Sequence, residues 1–248
     1  MDIDVHFNHR MLYQRSTGVI AAQCAVDPAR SSRIRSPGFH LVDQTVDAVR
    51  GSADMWLDVA YESLLDGGIE SVRIMPLAKK LNLSRTSFYW FFEDREALLA
   101  ALLSRWKSTN TGNWIKRAEA YAENVCEAVL NVFDCWFDDA IFDSRYEAAI
   151  RSWAHQSPEI AREAADDDER RVAALTAMFT RFDYKPLAAD VRARAMYFTQ
   201  LGYLSTQPNE DMAVRMSRIA EYVEVFAGVR PEERELQRFF SRRGFNVS

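Results

Sequence analysis

The stretch Leu77–Tyr89 combines hydrogen-bonding side chains with the pattern of two short helices joined by a tight turn. Ala78 is the small residue that lets two helix axes cross closely, and Asn82 tolerates the positive φ of a turn. Phe88 and Phe92 are placed to anchor the second helix from beneath. The side chains left on its outer surface have the chemistry to bind phosphate, to stack or to read base edges in a major groove: Arg85, Thr86, Tyr89 and Trp90.

This stretch lies in a basic segment of an otherwise acidic chain. The whole sequence has a formal net charge of −5, which does not suit unspecific adhesion to nucleic acid. From Arg73 to Lys107, however, seven basic residues stand against three acidic ones. The positive charge is therefore concentrated where the outward side chains would meet a phosphate backbone.

The remaining sequence is typical of a helical protein. Nine glycines and seven prolines among 248 residues are about half the usual share, which disfavours a loop-rich β-sandwich. Apolar residues recur at i, i+3 and i+4, and Ser84 and Asp94 are placed to cap helices. We therefore predict an all-α fold. The predicted helices are Ala53 to about Asp66, Ile74–Leu81, Arg85–Phe91, Arg95–Lys107, Asn113–Phe137, Ser144–His155, Pro158–Phe182, Leu187–Thr206, Glu210–Gly228 and Pro231–Phe240.

The run from Val59 to Leu99 resembles the DNA-binding domain of the TetR family of bacterial transcriptional regulators. The resemblance rests on Ser84, on the Phe88-Tyr89 pair, on Phe92 and on the leucine-rich helix that follows. It implies that Tyr89 and Arg95 touch the DNA backbone and that the recognition helix carries further contacts. The DNA-binding residues expected from the resemblance and the local pattern are Arg73, Ser84, Arg85, Thr86, Tyr89, Trp90 and Arg95.

Two positions depart from the family pattern. Arg73 stands where the family usually has a capping threonine, a loss of about 1 kcal/mol unless Ser71 supplies the missing hydroxyl. Pro76 stands where an acidic residue is usual, and it is tolerable only in the first turn of a helix.

The resemblance also divides the chain into an N-terminal extension over residues 1–52, a helix-turn-helix domain over 53–107 and a helical domain over 108–248 for ligand binding and dimerisation. The extension is expected to be partly disordered, with one short helix near Gly38–Arg50. The implied protein is a ligand-responsive, sequence-specific regulator that acts as a homodimer on a palindromic operator in double-stranded DNA. Repression is the favoured outcome, and activation stays open.

The C-terminal domain is expected to hold a small-molecule effector among its aromatic residues. Arg151 would suit a carboxylate ligand, although a salt bridge to Glu147 explains it equally well. The effector's identity is left open. The candidate ligand-binding residues are Trp114, Tyr121, Phe137, Tyr146, Arg151 and Met178.

A homodimer interface is predicted on Leu187–Thr206 and Glu210–Gly228, packed with their mates as a four-helix bundle. The first of these helices has a surface of small and aromatic residues, formed by Ala195, Phe198, Gly202 and Tyr203. Two recognition helices held by such a dimer would read half-sites about 34–36 Å apart.

Two other classes of function remain as alternatives. The run Asp138–Asp143 resembles the aspartate-rich magnesium site of all-α terpene cyclases, but no second metal motif follows it. We therefore expect no enzyme activity, no catalytic residues, no metal and no cofactor. The other alternative is a helical interaction protein that has kept the fold without binding DNA.

Cys24, Cys126 and Cys135 show no C-x-x-C spacing and are expected to be small buried residues, with a redox switch as the alternative. The N-terminus lacks the basic and apolar regions of a signal peptide, and no apolar run reaches the ~18 residues of a membrane span. The expected location is the cytoplasm, without membrane association.

Overall fold

The computed structural model describes residues 51–206 and 208–245. The predicted helix near Gly38–Arg50, Cys24 and nearly all of the predicted N-terminal extension lie outside these residues. Every regular element within the described ranges is helical, which confirms the all-α prediction. The helices are α1 (Ala53–Gly67), α2 (Ile74–Leu81), α3 (Arg85–Phe88), α4 (Arg95–Trp106), α5 (Gly112–Glu119), α6 (Val125–Phe137), α7 (Ser144–Ala154), α8 (Pro158–Arg181), α9 (Pro186–Thr206), α10 (Met212–Ser217), α11 (Ile219–Ala227) and α12 (Glu233–Ser241).

Helices α1 to α4 pack around a core of large apolar side chains. Trp56, Leu77, Phe88 and Leu98 are completely buried in it. Residues of α7 and of the first turns of α8 belong to the same core, with Tyr146 almost fully buried beside the side chains of α4. The apolar packing of the N-terminal helices therefore extends beyond the predicted domain boundary after Lys107.

The sequence predicted that the chain leaves the helical conformation at about Lys107. Instead, a π-helical turn over Lys107–Thr111 follows α4 and joins it directly to α5. Asn110 is buried in this turn, and its side chain donates a hydrogen bond to the carbonyl oxygen of Asp143 at 3.0 Å and accepts one from the Asp143 amide at 3.1 Å. The turn thus places a polar side chain against the start of α7, and it makes the predicted domain boundary part of a continuous helical path.

The prediction of one helix over Asn113–Phe137 is wrong. The chain leaves α5 at Ala120, whose ψ of 148° is extended, and α6 begins after Asn124. The Asn124 side chain accepts a hydrogen bond from the backbone amide of Glu127 at 3.0 Å, which satisfies a free donor of the new helix. No glycine or proline marks this break. The apolar periodicity continues across it, and the sequence therefore predicted a single helix.

The prediction of one helix over Glu210–Gly228 is also wrong. The described chain begins α10 at Met212 and interrupts the helical geometry at Arg218, where φ is −91° and ψ is −4°. Helix α11 then runs to Gly228, whose φ of 74° ends it in the left-handed conformation.

Cys126 and Cys135 are buried and unpaired, as expected. Burial raises the pKa of the Cys126 thiol to about 11 and that of Cys135 to about 12. Both therefore stay protonated at neutral pH, which removes the thiolate that a redox switch would use.

Glu147 of α7 is the centre of a buried network of ions and hydrogen bonds. Its Oε2 accepts from the Trp106 indole at 2.8 Å and from the Asn110 amide at 3.1 Å. Its Oε1 accepts from Arg171 at 2.9 Å and from Arg151 at 2.7 Å. Burial by itself would raise the pKa of this carboxyl, but Arg171 and then Arg151 outweigh it and lower the pKa to about 2. Glu147 is therefore ionised at neutral pH and joins the end of α4 to α7 and α8.

Replacing this charge tests the network. Glu147→Gln keeps the shape of the side chain but leaves the fully buried Arg171 without its counter-ion. We expect the free energy of unfolding to fall by about 3–5 kcal/mol. Urea unfolding at pH 7 and one fixed protein concentration measures this.

The matched control is Glu169→Gln, which breaks an exposed ion pair with Arg194. It should cost at most about 1 kcal/mol. Equal losses in the two variants would contradict the central role of Glu147.

Candidate nucleic-acid interface

The first helix of the motif, α2, starts without a side-chain cap. Arg73 occupies the N-cap position in an extended conformation and pairs instead with Glu70 at 3.1 Å. Ser71 does not replace the missing threonine, because its hydroxyl donates to the carbonyl oxygens of Ser63 and Gly68. Pro76 lies in the first turn of α2, where its missing N–H is tolerated.

The turn between α2 and α3 has the predicted chemistry. Asn82 ends α2 in the left-handed conformation, with φ 54° and ψ 39°. The Ser84 hydroxyl accepts a hydrogen bond from the Ser87 amide at 3.2 Å and so caps α3. These two local contacts fix the direction in which the second helix leaves the turn.

The second helix is shorter than predicted. Regular α-helix covers Arg85–Phe88 instead of Arg85–Phe91, and the chain then continues through turns. The Trp90 and Phe91 amides donate to the carbonyl oxygens three residues earlier, at 3.4 and 3.0 Å, which tightens the helical path at its end.

Two phenylalanines hold this segment against the domain. Phe88 is completely buried, with its ring 5.2 Å from that of Trp56 in an edge-on contact. Phe92 is partly buried and stacks on Phe88 at 5.5 Å. The anchoring of the segment from beneath is therefore as the sequence predicted.

The opposite side of the segment is open. Ser84, Arg85 and Thr86 are exposed, Tyr89 is 45% exposed and Trp90 is 62% exposed. The Arg85 guanidinium donates to the Tyr89 hydroxyl at 2.8 Å. The structure thus brings these predicted DNA-binding residues onto one short surface, and their individual contacts with DNA stay predictions.

Arg95 has a structural task that the sequence did not reveal. Its Nε donates to the carbonyl oxygen of Val72 at 2.6 Å, and one of its terminal nitrogens donates to that of Ile69 at 2.9 Å. It thereby ties the start of α4 to the turn before α2. Its contact with phosphate stays a prediction, and two of its donor groups are already used within the domain.

The C-terminal helices enclose a cavity of about 400 Å³ between α6, α7, α9 and α10. Among the predicted ligand-binding residues, Phe137 lines it. Trp114 and Met178 are buried in the core, and Tyr121 is 88% exposed on the surface.

The other two ligand-binding candidates are engaged elsewhere. The Tyr146 hydroxyl donates to the carbonyl oxygen of Leu102 at 2.6 Å. Arg151 pairs with Glu147 and with Asp168, both at 2.7 Å, so the salt bridge that was its alternative interpretation is present. The structure therefore does not bring the six candidates together around the cavity.

The cavity is lined by polar residues that the sequence did not single out. Gln200, Tyr203 and Arg215 face it from α9 and α10, and Arg145 faces it from α7. Since they belong to three helices far apart in the chain, no spacing in the sequence links them.

The aspartates that suggested magnesium serve local structure instead. Asp138 accepts from the Ala140 amide at 3.0 Å, and Asp143 caps α7 by accepting from the Tyr146 amide at 2.8 Å. Within the described ranges, no group of three histidine, cysteine or acidic side chains is arranged to hold a metal ion. None of the described helices is both long and apolar enough to span a bilayer.

Residues 57–102 match the family model of bacterial regulatory proteins of the tetR family. Among solved structures, GusR of Salmonella enterica is 14% identical, with a TM-score of 0.54 over 76% of this chain and 95% of that one. A putative TetR-family transcriptional regulator from Rhodococcus sp. is also 14% identical, with a TM-score of 0.52 over 71% of this chain and 98% of that one. These likenesses show a shared fold. No curated protein matches the sequence.

The fold and the matched segment define a helix-turn-helix protein with a helical C-terminal domain. The match over residues 57–102 confirms the resemblance drawn from Val59–Leu99: this segment is a DNA-binding domain of the TetR type, and it supports a DNA-binding transcriptional regulator.

Arg85 provides a direct test of the exposed surface. In Arg85→Ala, one phosphate or base contact per motif is lost, so affinity for a DNA fragment selected by the wild-type protein should fall at least tenfold. If the contact is to phosphate, the slope of log affinity against log salt should also shrink by about 0.9 per motif. Fluorescence anisotropy over a salt series measures both quantities.

Arg162→Ala is the matched control, because Arg162 is an exposed arginine on α8, outside the motif. It should leave affinity and slope unchanged. Equal effects of the two substitutions would show that the motif does not make the contact.

Proposed function

We propose that this regulator acts as a homodimer on a palindromic operator and that a small molecule in the C-terminal cavity changes its affinity for DNA. Repression is the favoured outcome. The observation that carries the proposal is the exposure of Ser84, Arg85, Thr86 and Tyr89 above the buried Phe88, because side chains have to be exposed to reach a DNA groove. The absence of enzyme activity stays a prediction.

An exposed apolar face supports dimerisation. On α9, Leu187 is 77% exposed, Val191 56% and Phe198 52%. These positions share one side of the helix, because they recur at spacings of four and seven residues. Next to them on α11, Val225 is 69% exposed, and an apolar groove runs between the two helices. Exposed apolar side chains clustered in this way are typical of a protein–protein interface.

A short segment links the cavity to the DNA-binding domain. Phe142, Ser144 and Arg145 line the cavity. Between them, Asp143 accepts a hydrogen bond from the Tyr61 hydroxyl of α1. Arg145 lies 3.7 Å from Asp66, near the C-terminal end of α1. A ligand that displaces this segment would therefore also act on the helix that supports the motif.

This connection suits a population shift. The form that binds DNA holds both recognition helices at groove spacing, and the ligand favours a form in which that spacing differs. The ligand shifts the balance only through its differential affinity for the two forms.

Selection from random-sequence DNA by the purified full chain tests the DNA-binding part. We expect enrichment of an inverted repeat whose half-site centres lie about 10 base pairs, or a multiple of that, apart. Affinity for the selected site should exceed that for scrambled DNA at least a thousandfold and fall steeply with salt. Thr86→Glu, which adds a negative charge at the exposed surface, should abolish the selection while circular dichroism stays unchanged.

Weak binding that is equal for every DNA sequence would overturn the proposal and favour the interaction protein without DNA recognition.

Gly202 tests the dimer. Apart from its own stretch of helix, a Cβ at Gly202 would have no atom of the described residues within 4 Å, so Gly202→Glu meets no obstacle among them. At the predicted interface, however, it would place a charge against the partner. We expect light scattering to show monomers for Gly202→Glu.

The matched control is Ala177→Glu, at an exposed position of α8. It should remain dimeric. Persistent dimers of Gly202→Glu would refute this placement of the interface.

A further inference from the structure

We infer that the C-terminal cavity binds a small aromatic carboxylate and that Arg215 holds its carboxylate group. This inference rests on the ligand response proposed above, since it names the chemical class of that ligand. It replaces Arg151, the arginine that the sequence favoured, with one from a different helix.

Arg215 is a half-buried cation whose guanidinium has no acceptor among the described residues. Its guanidinium carbon lies 5.2 Å from the centre of the Phe137 ring and 5.1 Å from that of Tyr203. Within residues 51–206 and 208–245 the guanidinium makes neither an ion pair nor a hydrogen bond, although Arg215 lines the cavity. A guanidinium has five N–H donors in a planar fork that matches the two oxygens of a carboxylate.

Comparable arginines of the same domain are satisfied. Arg117 donates to Asp134 at 3.1 Å, and Arg192 donates to the carbonyl oxygen of Phe226 at 2.6 Å. Arg151 binds two carboxylates. Because a partly buried charge is costly when it is left without an acceptor, the open fork of Arg215 points to a partner other than the described residues.

The walls around Arg215 favour a flat apolar body on the ligand. The aromatic rings of Trp136, Phe137, Phe142 and Tyr203 line the cavity. Its volume of about 400 Å³ lies in the range of small-molecule sites. An aromatic ring fits such walls with little loss of conformational entropy.

Two further polar groups of the lining have no partner. Gln200 is 4% exposed, and its Oε1 is buried without a hydrogen bond in the described chain. The same holds for the indole nitrogen of Trp136. A ring substituent that both donates and accepts, such as a hydroxyl, has the chemistry to satisfy them.

The charges at the cavity favour an anion over a cation. Arg145 lines it beside Arg215, and its only ion pair within the described ranges is the long, exposed one with Asp66. Asp139 is the one carboxylate of the lining, and it already accepts from the Ser144 hydroxyl at 3.1 Å.

Calorimetric titration of the full chain tests the inference. The probes are benzoate, 2-hydroxybenzoate and 2-naphthoate, each compared with its neutral amide. We expect saturable binding of at least one carboxylate, about tenfold or more tighter than its amide. Arg215→Gln should weaken the carboxylate by a similar factor and leave the amide unchanged, and Arg215→Lys should restore part of the loss.

Arg230→Gln is the matched control. Arg230 pairs with Glu221 and Glu224, and none of these three residues lines the cavity. Its substitution should leave carboxylate binding unchanged. Melting curves establish that each variant is folded before titration.

Three results would overturn the inference: no carboxylate binds, an amide binds as tightly as its carboxylate, or folded Arg215→Gln binds as the wild type does. The titration needs no DNA. Carboxylate binding without sequence-selective DNA binding would therefore refute the proposed function alone, and the reverse combination would refute the ligand class alone.

Discussion

A buried carboxylate has to be paired, and Glu147 meets this requirement with partners from three other parts of the chain. Trp106 ends α4, Asn110 lies in the π-helical turn, and Arg171 belongs to α8. Removing any partner would leave a polar or charged group uncompensated in the core, which costs several kcal/mol. The last helix of the DNA-binding domain is consequently held to the C-terminal helices by interactions that need accurate geometry. Arg171 extends the same network to the cavity, because its guanidinium lies over both Trp106 and the cavity-lining Phe142.

Under the proposed ligand response, this arrangement would connect the cavity in one domain to the DNA-binding surface in the other. The segment that forms one cavity wall also contacts α1 through Asp143 and Arg145. Helix α1 packs against the helix-turn-helix through the contact between Trp56 and Phe88. A ligand would only need to shift the conformation of this series of packed and hydrogen-bonded groups. It would not need to contact the helix-turn-helix itself. The exposed faces of α9 and α11 would then translate a change within one protomer into a change of spacing between two.

The helix-turn-helix was predictable in detail because its determinants are local. Asn82 adopts the left-handed conformation, Ser84 and Asp94 cap the helices that follow them, and Phe88 is buried, all as residue type and spacing indicated. The breaks at Ala120 and Arg218 were missed, since they depend on capping and packing rather than on glycine or proline. Five of the six candidate ligand residues lie away from the cavity for a related reason. An aromatic side chain on an amphipathic helix has the same sequence signal whether it fills a core or lines a pocket.

The sequence by itself determined the helical class, the position of the DNA-binding motif and which of its residues face outward. These follow from interactions between residues a few positions apart, which periodicity and capping report directly. Only the tertiary structure decided three arginine contacts. Arg95 donates a hydrogen bond to the turn before α2, and Arg151 forms an ion pair with the distant Asp168. Arg215 lines the cavity without an acceptor among the described residues. An arginine's partner depends on which helices meet around it, and contacts between residues tens of positions apart leave no periodic trace in one sequence.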